Sequence, residues 1–168
     1  MSTVLICPAS VDDAEALTDL HLDVWDEAYG HLMPNEILRD RRKDRSERIE
    51  RWRADIPSPE SLTLLARDRA TDRLIGFVSR GHGRDDSHDL PAVEVWALYV
   101  RAEFYGHGVG HAMLTEALGT SDAYLWVLDG NSRAVAFYER QGFRFDGSSK
   151  TETVGIERRM VRRGLTAG

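Results

Sequence analysis

An apolar run at residues 93–100, broken only by Glu94, is followed by Gly106, Gly108 and Gly110 and then by Val109, Ala112, Met113 and Ala117 at helical spacing. No other stretch constrains the fold as much. Alternating glycines after a strand let the backbone turn sharply, approach an anion closely and aim the free amides of a helix start at it. The same glycines also serve a plain tight turn. Two nucleotide-binding patterns are excluded by spacing. A dinucleotide loop needs G-x-G-x-x-G, whereas this loop reads G-H-G-V-G-H, and no acidic residue stands at the required place after a following strand. A triphosphate loop needs G-x-x-x-x-G-K followed by Ser or Thr, and the chain has no such string.

The remaining elements arrange themselves around that unit. Residues 4–7 read as a strand stopped by Pro8. Ser10 offers a cap, and Leu17, Leu20, Val24 and Ala28 form one buried face of a helix over 11–29 that stops at Gly30. A second helical region starts at Pro34 and Asn35, has a break near 44–46, and ends before Pro57 and Pro59. Residues 62–67 and 74–80 predict a hairpin, and 81–91 an acidic loop. A strand at 124–128, a helix at 131–141 closed by Gly142, and strands at 143–145 and 155–162 complete the order β-α-α-β-β-β-α-β-α-β-β. This predicts a mixed α/β (α+β) fold, a mixed sheet with helices on both faces. One domain over residues 1–163 is expected, with 164–168 a frayed tail.

Charge narrows the partners. The 22 basic and 28 acidic residues give a net charge of −6, which disfavours general nucleic-acid binding because that needs clustered cations to displace counterions. The basic run at 39–45 reads as a solvated helix face. No stretch nears the roughly 18 apolar residues of a membrane span, and residues 1–11 lack an export signal, so the expected address is the cytoplasm. The single cysteine, Cys7, excludes an internal disulfide and reads as a small buried hydrophobe. His107 and His111 stand four apart but have no acidic or Cys partner at a ligand spacing, so no metal is expected.

Tyr105-Gly106-His107-Gly108-Val109-Gly110 resembles the pyrophosphate loop of the GNAT superfamily of acetyltransferases, with Tyr105 where the family has Gln or Arg. The resemblance extends to the 94–100 strand, which looks like the family's fourth strand, and to Asn131-Ser132-Arg133-Ala134-Val135-Ala136-Phe137-Tyr138 closing on Gln141-Gly142-Phe143, which looks like its CoA-contacting helix and turn. It implies the GNAT acyl-CoA N-acyltransferase fold, with splayed central strands. It also implies acetyl-CoA as co-substrate, an amine of a small molecule or a peptide N-terminus as acceptor, and room for a homodimer. A non-catalytic acyl-CoA-binding or regulatory domain is the alternative. By the same resemblance Leu98, Tyr99 and Val100 pair with pantetheine through their backbone, as unpaired groups on a splayed strand allow.

An alkylamine with a pKa near 10.4 is only about 0.04% neutral at pH 7, so direct transfer benefits from a proton acceptor. Glu94 is the candidate base, directly or through water; a solvent-facing or salt-bridged carboxylate is its other reading. Tyr138 matches the family position that presents a phenol to the departing thiolate, and otherwise reads as a core tyrosine. Strand alternation places Glu94, Trp96 and Leu98 on one face and Val95, Ala97 and Tyr99 on the other, so Trp96 walls the acceptor site or joins the core. Asn131 is a helix N-cap by residue type and, by resemblance, a pantetheine contact. Arg133 is either a phosphate contact or a solvated first-turn arginine. Trp25, Tyr29 and His31 border the acceptor site if the first interhelical loop lies as it does in the family. Asp85, Asp86 and Asp89 form a charged loop able to attract a cationic amine.

Overall fold

The computed structural model describes residues 3–165. Seven strands form one sheet in the order β1-β2-β3-β4-β5-β7-β6. They are β1 (Val4–Pro8), β2 (Ser61–Asp68), β3 (Leu74–His82), β4 (Val93–Val100), β5 (Ala123–Leu128), β6 (Arg144–Glu152) and β7 (Gly155–Arg162). Every pairing is antiparallel except β4 with β5. The helices are α1 (Ala14–Tyr29), α2 (Asn35–Lys43), α3 (Arg45–Asp55), α4 (Val109–Leu118) and α5 (Ser132–Arg140). The mixed architecture and the element order agree with the sequence reading.

Two apolar layers sandwich the sheet. On one face Leu17, Leu20 and Val24 of α1 pack with Leu65 and Phe77, and Trp52 of α3 joins them. On the other, Val109, Met113, Leu114 and Ala117 of α4 and Tyr138 of α5 pack with Ile75, Val78, Val95, Leu125 and Met160. The break between α2 and α3 falls at Asp44, within the expected interval.

Two local readings need correction. The first turn of the expected helix is a short 3-10 segment, Val11–Asp13, because the Asp13 carboxylate accepts the Ser10 amide at 2.8 Å and so holds the start of the turn. β6 is longer than the expected 143–145. It is an edge strand paired only with β7, so it needs no apolar alternation and its polar residues concealed it. The tail expected at 164–168 lies partly outside the described residues; within them, the Gly164 amide donates to Asp122 at 2.9 Å.

The correction that matters for function is in β4. Ser79 opposes Ala97 while Arg80 opposes Val95, so Trp96 is an extra residue in the ladder, a β-bulge. The expected alternation therefore breaks. Val95, Leu98 and Val100 face the α4 layer, whereas Ala97 and Tyr99 face α1. One inserted residue transfers every later side chain to the opposite face.

Candidate active site

β4 and β5 are paired only at Glu94 with Tyr124 and Val95 with Leu125. Beyond that point the strands part, and the second half of β4 loses its neighbour on that side. The gap is a cleft of about 800 Å³ whose walls include Leu98, Tyr99 and Val100 on β4, Trp126 and Val127 on β5, and Asn131, Arg133 and Tyr138 from the α5 region. The parallel β4 and β5 carry α4 between them, which sets the N-terminus of α4 at the mouth of this cleft.

The glycine loop is bent as the spacing predicts. Gly106 has φ +79° and Gly108 φ +77°, a region that L side chains rarely adopt, and a Cβ at either position would meet nothing within 4 Å. Gly108 is the N-cap of α4, so the first amides of that helix lack intrahelical acceptors and point outward with the positive end of the helix dipole. Gly110 serves a different purpose. A Cβ there would lie 3.2 Å from the Phe137 ring, so this glycine lets α4 and α5 approach each other. An open, left-handed, donor-rich loop at the mouth of a long cleft suits the pyrophosphate of CoA.

Tyr105 stands where the family pattern has Gln or Arg, and the fold sets a cation against its ring. The Arg133 guanidinium lies 3.0 Å from the centroid of the Tyr105 ring, and both residues line the cleft. The histidines of the loop do not gather: His107 Nδ1 meets the Tyr105 carbonyl at 3.0 Å, and His111 Nδ1 meets Gln141 Oε1 at 2.6 Å. Asn131 caps α5, its Oδ1 accepting the Ala134 amide at 3.3 Å.

Tyr138 lies in the cleft wall near Phe137 and Phe143, and its hydroxyl has no hydrogen-bond partner among the described residues. Burial pushes its phenol above the ordinary tyrosine value, and Tyr29 pushes in the same direction. It therefore stays protonated near neutrality.

Glu94 is 1% exposed. Its Oε2 accepts from the Arg84 amide at 3.0 Å and the Arg84 Nε at 3.0 Å, and its Oε1 accepts from Arg84 Nη2 at 2.8 Å. The Tyr124 hydroxyl adds a longer contact of 3.4 Å to Oε2. The carboxylate is therefore paired, and Oε1 is its less occupied oxygen. Trp96 lies over Gly81 of β3, where any Cβ would collide with the indole at 2.2 Å, and its Nε1 donates to the His82 carbonyl at 3.3 Å. Of the acidic loop, Asp85 is engaged by Trp126 Nε1 and Arg159 Nη1, both at 3.1 Å.

A second, smaller pocket of about 210 Å³ lies on the α1 side of β4, and Trp25, Tyr29, Glu94, Trp96 and Tyr99 all line it. Tyr29, Trp96, Ala97, Tyr99 and Trp126 border both spaces. The Tyr29 and Tyr99 hydroxyls are 3.1 Å apart in that shared wall. His31 borders only the larger cleft.

Among the lining residues that escaped the sequence reading are Arg84, Arg41, Arg48 and His21. The basic run at 39–45 is a solvated face for the most part, with Arg42 bonded to Asp23 and Asp26 and Arg45 to Asp19 at 2.7 Å. Arg41 is the exception, turned onto Trp25 with its guanidinium carbon 3.4 Å from the ring centroid. Its position three and four residues after Leu38 and Ile37 is the signal that it shares their apolar face. His21, four residues after Leu17 and four before Trp25, lies on the buried face of α1 by the same spacing.

Parted β4 and β5 with a left-handed glycine loop at their mouth place this fold among the N-acetyltransferases of the GNAT class. The acetyltransferase (GNAT) family model matches residues 15–143, and the chain belongs to that family. It is 36% identical over 72 residues to a probable N-acetyltransferase of Mycobacterium tuberculosis, a match covering 41% of each chain. To the uncharacterized N-acetyltransferase YuaI of Bacillus subtilis it is 23% identical over 166 residues, covering 94% of this chain and 90% of that one. Its fold resembles that of the PaiA N-acetyltransferase of Thermoplasma acidophilum, solved with coenzyme A, with a TM-score of 0.68, 22% identity, and coverage of 95% of this chain and 98% of that chain. Among the described residues no helix is long and apolar enough to cross a membrane.

Proposed function

We propose that the protein transfers acetyl from acetyl-CoA directly to the amine of a small molecule or peptide N-terminus. The observation that carries this reading is the parting of β4 from β5 beyond Val95, which connects a donor-rich anion loop to a protonated tyrosine and, across the bulged strand, to a carboxylate-bearing pocket. Acetyl-CoA supplies an activated thioester. Leu98, Tyr99 and Val100 offer backbone groups to its pantetheine arm, and Asn131 borders the same channel. Gly106, His107, Gly108, Val109 and Gly110 present amides to the pyrophosphate, with Arg133, stacked on Tyr105, as the nearby cation.

In the smaller pocket Trp25, Tyr29 and Trp96 hold the acceptor. Glu94 takes the proton of the incoming ammonium through a water at Oε1, since Oε2 is filled by Arg84. The neutral nitrogen then forms its bond to the acetyl carbon as the carbon–sulfur bond breaks. Tyr138 hydrogen-bonds the departing sulfur and relays to it the second proton that the newly acylated nitrogen sheds, so the amide leaves neutral, CoA leaves as the thiol, and the phenol ends protonated as burial favours.

The experiment is a panel of amines incubated with acetyl-CoA and the protein, read by release of free thiol and by mass spectrometry of the acetylated product. Amine-dependent thiol release is expected. CoA binding without turnover of any amine would instead favour the non-catalytic acyl-CoA-binding reading.

A further inference from the structure

The lining of the smaller pocket carries both signs of charge: the carboxylate of Glu94, and the guanidiniums of Arg41 and Arg48. Arg84 is paired with Glu94, and Lys150 is 3.5 Å from Glu157, so the remaining cations of the lining are paired. Arg48 Nε donates to the Arg41 carbonyl at 3.1 Å, and neither Arg41 nor Arg48 forms a salt bridge among the described residues. Arg41 Nε and Nη2 are enclosed with no hydrogen-bond partner, as is the indole Nε1 of Trp25, the residue on which Arg41 stacks.

Unbonded N–H groups on an enclosed cation are costly to fold, and the face of Trp25 offsets only part of that cost. Donors without acceptors at one site call for a ligand that brings acceptors and negative charge. Burial together with Arg48 and Arg51 lowers the Arg41 guanidinium to about 10, still fully charged near neutrality. His21, pressed by burial and by the same arginines, is neutral and adds no competing charge.

Building on the acetyltransferase reading, we infer that the acceptor is a small zwitterion of the amino-acid class, its carboxylate bound by Arg41 beside Trp25 and its amine directed toward Glu94. A guanidinium suits a carboxylate because its parallel N–H groups match the two oxygens. At about 210 Å³ the pocket admits a free amino acid rather than a bulky scaffold.

The test begins with calorimetry of CoA itself, then uses matched triples: an amino acid, its carboxamide and the amine left on removing the carboxyl group. Each compound is assayed with acetyl-CoA and is also titrated into CoA-saturated protein. The amino acid is expected to exceed its carboxamide by roughly tenfold to a hundredfold in kcat/KM or affinity, the range set by one charge-assisted pair. Arg41→Gln should reduce that ratio to about one with the CoA Kd unchanged, while Arg41→Lys, which keeps the charge if the glutamine variant does not fold, should retain part of it. Failure of CoA to bind would overturn the acetyltransferase reading and this inference with it. CoA binding with equal or better use of the carboxamide or the bare amine, or with no binding of any triple, would overturn this inference alone.

Discussion

The guanidinium of Arg133, on the first turn of α5, stacks on the ring of Tyr105 at the start of the glycine loop, 3.0 Å from its centroid. Two residues 28 positions apart thereby place one cation beside a loop that lacks its own. The resemblance has Gln or Arg at the position of Tyr105, and the contact between α5 and the loop brings a guanidinium to that position from another element. Arg133→Gln is expected to weaken CoA binding by roughly threefold to tenfold, the range of a partly solvated charged contact. A Tyr105→Arg substitution in that background should recover part of the loss. Calorimetry of CoA on the four proteins of this cycle gives the coupling, and complete additivity would show the two residues to be independent.

Gly108 at φ +77° tolerates asparagine far better than other side chains, because Asn adopts left-handed geometry with little penalty. Gly108→Asn should therefore keep most of the CoA affinity, and Gly108→Asp should lose it by roughly tenfold or more while retaining a native circular dichroism spectrum. Equal affinities for the two variants would remove the pyrophosphate from this loop.

Tyr138→Phe deletes a hydroxyl that bonds to nothing else among the described residues, so its stability and its CoA affinity should be close to those of the parent. Turnover should fall roughly tenfold to a hundredfold if the hydroxyl assists thiolate departure. A parent-like kcat, with chemistry shown to limit the rate, would assign Tyr138 to packing alone.

Glu94→Gln is expected to lower kcat/KM most near neutral pH and progressively less toward the amine's own pKa, since alkali then supplies the neutral nucleophile. The measurement is a pH–rate profile of both proteins on one acceptor. A loss of the same size at every pH would mean that the carboxylate binds the acceptor's charge instead. Glu94 also secures Arg84, so a lowered melting temperature should accompany either result.

His21 supplies a stability signature that is separate from catalysis. Burial, with Arg41, Arg48 and Arg51 nearby, lowers its imidazole to about 3. The unfolded chain takes up a proton near pH 6.5 that the folded chain refuses, so this stabilisation is present above that pH and is lost as the pH falls toward about 3. The slope approaches roughly 1.4 kcal/mol per pH unit at most. His21→Gln should remove that component, seen as a shallower fall in urea stability between pH 6.5 and 4.5. Parallel slopes in the two proteins would mean that His21 titrates normally.

Periodicity alone located nearly every element and the glycine loop, because apolar spacing and left-handed turns are local properties written in a few consecutive residues. The Asn131 cap was legible for the same reason, as was the place of Tyr138 on α5. The smaller pocket was legible only in part. Whether β4 keeps its alternation depends on its register against β3, and the bulge at Trp96 reverses which face Ala97 and Tyr99 present. That Glu94 is tied to Arg84, that Arg133 covers Tyr105, and that one arginine of a basic run turns inward onto Trp25 are all pairings between distant parts of the chain. The sequence by itself determined nearly all the elements, their order and the glycine loop. Only the tertiary structure decided which charges are paired, because a side chain's partner is set by what the packed sheet and helices bring beside it.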